Sequence, residues 1–191
     1  MTIAARTTPT AERPPTIAEL IARGEHRAAL SRCAAEHGAA IGRLSMALLG
    51  SQAEAEENTQ ETLLAAYDGF ADWRGQGSVR AWLFGIARRR CARRLATRKR
   101  RAHRLRLLEV PQAPGTPVDE HVHARRQAEA IRRALEQLEP SLREAVVLRY
   151  QSGLSYREIA GLCGIKEAAA RKRTSRALAR LRVILKTEAH R

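Results

Sequence analysis

Between two long runs of helix-forming residues lies Val110–Pro117, eight positions that hold three prolines and a glycine. No helix tolerates that density, because each proline removes a backbone donor and its ring clashes with the preceding turn. The stretch therefore reads as a linker between two bodies. On both sides of it Ala, Leu, Arg and Glu dominate, all strong helix formers, while aromatic residues make up only 4% of the chain. The expected fold is all-α: two small helical domains joined by a flexible linker. Hydrophobic residues are 44% of the 191 positions, enough to bury a core, so wholesale disorder is excluded.

Local signals set the boundaries. Residues 1–15, rich in Thr and Pro, read as a disordered tail. Helical periodicity begins near Ile17, breaks near Gly24 and continues to Leu49, where Gly50 stops it. Ser51-Gln-Ala-Glu54 has the form of a capping box and starts a helix to about Tyr67, with Leu63 and Leu64 on its apolar side. After the loop Asp72–Gly77, Ser78 caps a third helix that reaches the low hundreds. The first domain thus spans 16–108, the linker 109–121 and the second domain 122–191. Within the second, Pro140-Ser141-Leu-Arg-Glu144 and Ser155-Tyr-Arg-Glu158 again have capping-box form, so helices are expected near 141 and 155.

Charge is segregated along the chain. The total is 35 Lys+Arg against 20 Asp+Glu, a net +15, which favours polyanionic partners. Ser51 to Asp72 carries Glu54, Glu56, Glu57, Glu61, Asp68 and Asp72 with no basic residue. Arg80 to Arg106 carries twelve basic residues and no acidic one, and Lys166 to Arg182 carries seven against Glu167 alone. One acidic helix and two basic helices, one basic helix per domain, are the result. The acidic helix lacks local basic partners.

Several classes are disfavoured. No run approaches the roughly 18 apolar residues of a membrane span, and the first residues lack the pattern of a secretory signal. Cys33, Cys91 and Cys163 are distant and odd in number, which suits a reducing cytoplasm. Neither Cys33 with His37 nor His121 with His123 makes a strong metal motif, so no metal and no cofactor is expected. No phosphate-binding glycine loop or nucleophile–base motif is present, so an enzyme is not expected.

Gly153-Leu-Ser-Tyr-Arg-Glu-Ile-Ala160-Gly-Leu-Cys-Gly164 followed by an Arg-rich run has helix-turn-helix spacing. Ala160 is small where a second helix must approach, and Gly164 can take the positive φ of the turn. In the helix from about Lys166, Ala170, Thr174, Ala177 and Leu181 share one face. Lys172, Ser175, Arg176 and Ala179 lie opposite, flanked by Arg171 and Arg173. Donors outward and small residues inward is the layout of a major-groove helix, so Arg171, Lys172, Arg173, Ser175 and Arg176 are the candidate readers.

Three segments together resemble the extracytoplasmic-function (ECF) group of bacterial sigma factors, over about 25–108 and 125–185. Ala53-Glu-Ala-Glu-Glu57-Asn-Thr-Gln60-Glu61-Thr62 resembles the family's core-binding helix, which implies contacts to core RNA polymerase from Glu54, Glu57, Gln60, Glu61 and Thr62. Arg74-Gly-Gln-Gly-Ser78-Val-Arg80-Ala-Trp82 through Arg88 resembles the element that engages and melts minus-ten DNA. That implies roles for Ser78, Arg80, Trp82, Arg88, Arg89 and Arg93, although Trp82, like Trp73, Phe70 and Phe84, equally suits a core. Arg89 stands where the family often has an Asn that helps read a flipped base. The helix-turn-helix resembles the minus-thirty-five reader. The resemblance implies promoter DNA, core polymerase and an anti-sigma factor as partners, and action in the cytoplasm without membrane insertion. A stand-alone helix-turn-helix regulator is the alternative, and it leaves the acidic helix and the first basic helix without a task.

Overall fold

The computed structural model describes residues 13–106 and 122–189; the linker expected at 109–121 and most of the expected tail fall outside that set. Of the tail, 13–15 are described, and Arg32 donates to the Pro15 carbonyl at 2.6 Å. Eight helices follow: α1 Ile17–Ala22, α2 His26–Leu49, α3 Gln52–Gly69, α4 Val79–Arg106, α5 Val122–Glu136, α6 Pro140–Tyr150, α7 Tyr156–Cys163 and α8 Glu167–Ala189. No strand occurs among the described residues.

The helix ends form where the side chains satisfy orphan backbone groups. Gly50, at φ 75°, closes α2 in the left-handed region. Ser51 accepts from the Glu54 amide, and Ser78 accepts from the Ala81 amide at 3.0 Å. Ser155 and Glu158 cap α7 reciprocally. The pattern at 141–144 works differently from its sequence reading: α6 starts at Pro140 after Glu139, and Ser141 Oγ donates to the Glu139 carboxylate rather than capping. Proline at the first helical position needs no amide partner, so the helix starts without the serine. Glu144 is left for another partner.

In the first half, α2, α3 and α4 enclose Ile41, Leu44, Phe70, Leu83, Phe84, Ala87 and Cys91, each at most 1% exposed. Each larger side chain contributes about 1.5–3 kcal/mol by leaving water. Asn58 is buried with them and donates to Ser45 Oγ at 2.8 Å, a polar bond that pins α3 against α2. Leu64 departs from its expected place: it is 62% exposed, on the side of α3 away from the core. In the second half Leu148, Leu154, Ile159, Ala170 and Ala177 are buried between α6, α7 and α8. The two halves also touch, α2 against α5 and α6, α4 against α7. Their buried apolar residues form one continuous cluster.

Candidate nucleic-acid interface

Helix α8 enters its position through Gly164, whose φ of 65° permits the turn from α7. Ala170, Thr174 and Ala177 are buried against the preceding helices, and Thr174 Oγ1 donates back to the Ala170 carbonyl at 3.0 Å. Lys172, Ser175 and Arg176 are exposed on the opposite side, as the spacing predicts. Arg171 is exposed yet held: its guanidinium bonds Glu167 at 3.0 Å and lies 4.6 Å from the Tyr156 ring centroid. Arg173 is half-buried. Lys172 and Arg176 have no carboxylate within 4.0 Å among the described residues, so of the five candidates they are the cations most available to an anion.

The six candidates on α4 and at its N-cap fall into two sets and a lone Trp82. Arg89 and Arg93 are exposed. Ser78, Arg80 and Arg88 face the second half. Ser78 Oγ donates to Glu158 at 2.6 Å, and the Arg80 guanidinium lies against Gly153, where a Cβ would come 2.7 Å from Nη2. Arg88 donates to both oxygens of Glu144, at 2.7 and 3.2 Å, and to the Leu162 carbonyl at 2.9 Å. Burial disfavours the charge on Arg88, but the Glu144 carboxylate outweighs it and raises the guanidinium above its ordinary value. Burial likewise opposes ionisation of Glu158, yet bonds from Ser78 and Ser155 prevail and lower its carboxyl. Trp82 is half-buried, its ring 5.8 Å from Phe70 and 6.5 Å from Trp73.

The acidic helix finds its basic partners at a distance, on α4. Arg90 bonds Glu61 at 2.6 Å, Arg94 bonds Glu57 and Glu61 at 2.8 Å each, and Arg98 reaches Glu54 at 3.3 Å. Arginines spaced by four on α4 thus form a ladder with α3, which explains why they continue the line of Val79, Leu83 and Ile86. Sequence distance hid the pairing; the i+4 repeat of Arg90, Arg94 and Arg98 was the available signal. Bonds from Arg94 and then Arg90 lower the Glu61 carboxyl, and its partner Arg94 is raised by Glu57 and Glu61. Thr62 is fully buried, its hydroxyl on the Asn58 carbonyl at 2.6 Å. Gln60 is exposed and borders a groove between α2 and α3 that Gly42, Met46 and Thr59 also line.

The Cys163 thiol donates to the Glu144 carboxylate at 3.6 Å. Burial pushes the thiols of Cys33, Cys91 and Cys163 up to about 11, so none is a thiolate near neutrality. No helix among the described residues is long and apolar enough to cross a membrane.

Comparison with known proteins follows the same division. Residues 34–101 match the family model for sigma-70 region 2, and residues 128–181 match that for sigma-70 region 4. The chain is 33% identical over 156 residues to the ECF RNA polymerase sigma factor SigL of Mycobacterium tuberculosis, covering 78% of this chain and 85% of that one. It is 30% identical over 146 residues to the ECF RNA polymerase sigma factor EcfG of Rhodopseudomonas palustris, covering 74% and 76%. Against the ECF sigma factor SigE of Mycolicibacterium smegmatis the identity is 30% over 153 residues, but the match spans only 58% of that relative. Among solved structures, the sigma factor RpoE, in complex with the anti-sigma factor NepR from Bartonella quintana, superposes with a TM-score of 0.69 at 25% identity. That match covers 82% of this chain and 96% of RpoE.

Proposed function

Because this chain belongs to the ECF sigma factors of the sigma-70 family, we propose that it binds core RNA polymerase through its first half and carries it to promoters whose two elements are held by α4 and α8. The observation that carries this reading is the basic outer face of α8. Lys172 and Arg176 stand exposed and, among the described residues, without a carboxylate partner, beyond a glycine-closed helix-turn-helix. Such a helix places donors against base edges and phosphates of the minus-thirty-five element.

On α4, Arg89 and Arg93 offer charge to a displaced strand, with Arg80, Arg88 and Ser78 joining them once they are released. In the described arrangement those three lie against Glu158, Gly153 and Glu144. Carboxylates occupy the Ser78 and Arg88 donors as phosphates would, so this is a closed form that opens before the minus-ten strand is captured. Polymerase docks on the outer side of α3, where Gln60 and Leu64 are exposed. Glu54, Glu57 and Glu61 chiefly brace α3 on α4, and Thr62 serves the core. Likeness to a sigma factor solved with its anti-sigma factor supports an anti-sigma partner here too. The protein is a non-enzymatic initiation factor acting in the cytoplasm.

Gel filtration of the full chain with purified core polymerase tests the docking. Co-elution at one-to-one stoichiometry is expected. A chain that binds promoter DNA alone and never co-elutes with polymerase would instead be a stand-alone regulator.

A further inference from the structure

The last third of α4 extends past the core of the first half. Among the described residues Cys91 is its last buried one, and every residue from 95 to 102 is exposed. A helical segment exposed on all sides gains little from packing, so most of what normally holds a helix is missing here. This segment also sets Arg98, Lys99, Arg100 and Arg101 side by side, and their repulsion works against compactness. The ladder neutralises only part of the charge. It ends at Arg98 with Glu54, because α3 begins at Gln52 and has no further carboxylate to offer. Arg89, Arg93, Lys99, Arg100 and Arg101 have no carboxylate within 4.0 Å among the described residues.

These unpaired cations are ordered on the helix. At 100° per residue, Arg89, Arg93 and Arg100 fall within about 40° of one another, on a line about 16 Å long. Lys99 and Arg101 flank its far end. A B-form duplex presents a phosphate for each ~1.7 Å of axis, so such a line runs past roughly ten of them. The geometry points to a phosphate rail: we propose that Lys99, Arg100 and Arg101 hold the backbone of the double-stranded spacer between the two promoter elements, without reading its sequence. The proposal rests on the sigma-factor reading above and extends its contacts beyond the minus-ten residues.

Chain connectivity selects the occupant. From the tip of α4 the chain continues to the half that carries α8, so a promoter bound at both elements has its spacer between them. A membrane surface is a poor fit, because Leu95, 39% exposed, is the one large apolar side chain exposed between residues 95 and 102. Side chains that contact only phosphate position the duplex and leave specificity unchanged.

The test is the salt dependence of promoter binding by reconstituted holoenzyme, with run-off transcription from the same promoter as a parallel readout. Three neutralised cations should lower the slope of log affinity against log salt by about 2–3. That is the expectation for Lys99→Gln, Arg100→Gln, Arg101→Gln on a duplex promoter, with helix content by circular dichroism and binding to a minus-ten single strand unchanged. Methylphosphonate substitution of the spacer should lower the wild-type slope equally and add nothing to the triple variant. Arg100→Lys with Arg101→Lys should keep the wild-type slope, and so should Arg23→Gln with Arg27→Gln, which removes charge elsewhere. Normal transcription with an unchanged slope in the triple variant would overturn the rail alone. An equal drop in the Arg23/Arg27 variant would reduce it to net charge and also overturn it. Absence of any promoter-directed transcript from the wild type would overturn the rail together with the sigma-factor reading.

Discussion

The Arg88 guanidinium on α4 grips both oxygens of Glu144 on α6, at 2.7 and 3.2 Å, across the contact between the two halves. Both side chains are largely removed from water, 24% and 18% exposed. A charge pair desolvated to that degree is costly to split by truncating one partner, since the other is stranded. Here the stranded charge has an escape, because separation of the halves returns Arg88 to solvent.

Glu144→Gln combined with Glu158→Gln is therefore expected to favour the open form. Affinity for a minus-ten single-stranded oligonucleotide should rise roughly tenfold, equal to about 1.4 kcal/mol in the opening equilibrium. Fluorescence anisotropy gives the affinity, and small-angle scattering should register a larger radius of gyration. Unchanged values in both would mean that the contact does not restrain the protein.

The ladder between α3 and α4 makes a different prediction. Each rung is partly exposed, so Glu61→Gln should cost about 0.2–1 kcal/mol of stability and not more. Its carboxyl is lowered in the folded protein, chiefly by the Arg94 bond. A depressed folded value means the contribution is present above the unfolded carboxylate range near 4.5 and is lost as pH falls through the lower folded value. Urea midpoints at neutral and acidic pH should accordingly differ more for wild type than for the variant.

Docking and bracing can be separated on α3. Gln60→Ala with Leu64→Ala should weaken competition for core polymerase with no change in the urea midpoint, because both side chains are exposed. Thr62→Val should do the reverse, since its hydroxyl serves the buried Asn58 carbonyl. A Thr62 variant that is fully stable and defective in docking would reassign that residue to the interface.

On α8, Lys172→Ala and Arg176→Ala should each cost on the order of 1–3 kcal/mol against minus-thirty-five duplex. Arg171→Ala should cost less, because Glu167 and Tyr156 already engage its guanidinium. Electrophoretic shifts at fixed salt rank the three. An Arg171 variant weaker than both others would show that the arginine leaves Tyr156 for DNA.

Much of this was legible in the chain. Gly24, Gly50 and Gly164 marked helix ends because a left-handed φ is cheap only for glycine, and Ser51, Ser78 and Ser155 marked starts through their hydroxyls. The faces of α8 followed from its period alone. What periodicity could not supply was partnership across distance. Glu57 and Arg94 stand 37 positions apart, and Arg88 and Glu144 stand 56 apart. Only packing brings such charges together, so the carboxylates of the acidic helix also brace it against α4. The Ser141 pattern misled for a related reason: Pro140 opens α6 unaided, and Glu144 serves Arg88.

Run-off transcription with purified core polymerase tests the central claim most directly. With the full chain added, discrete transcripts should start downstream of paired promoter elements at which core polymerase alone is silent. They should be lost with Lys172→Ala/Arg176→Ala while co-elution with polymerase persists. Specific DNA binding by the chain with no gain in promoter-directed transcription would contradict the account.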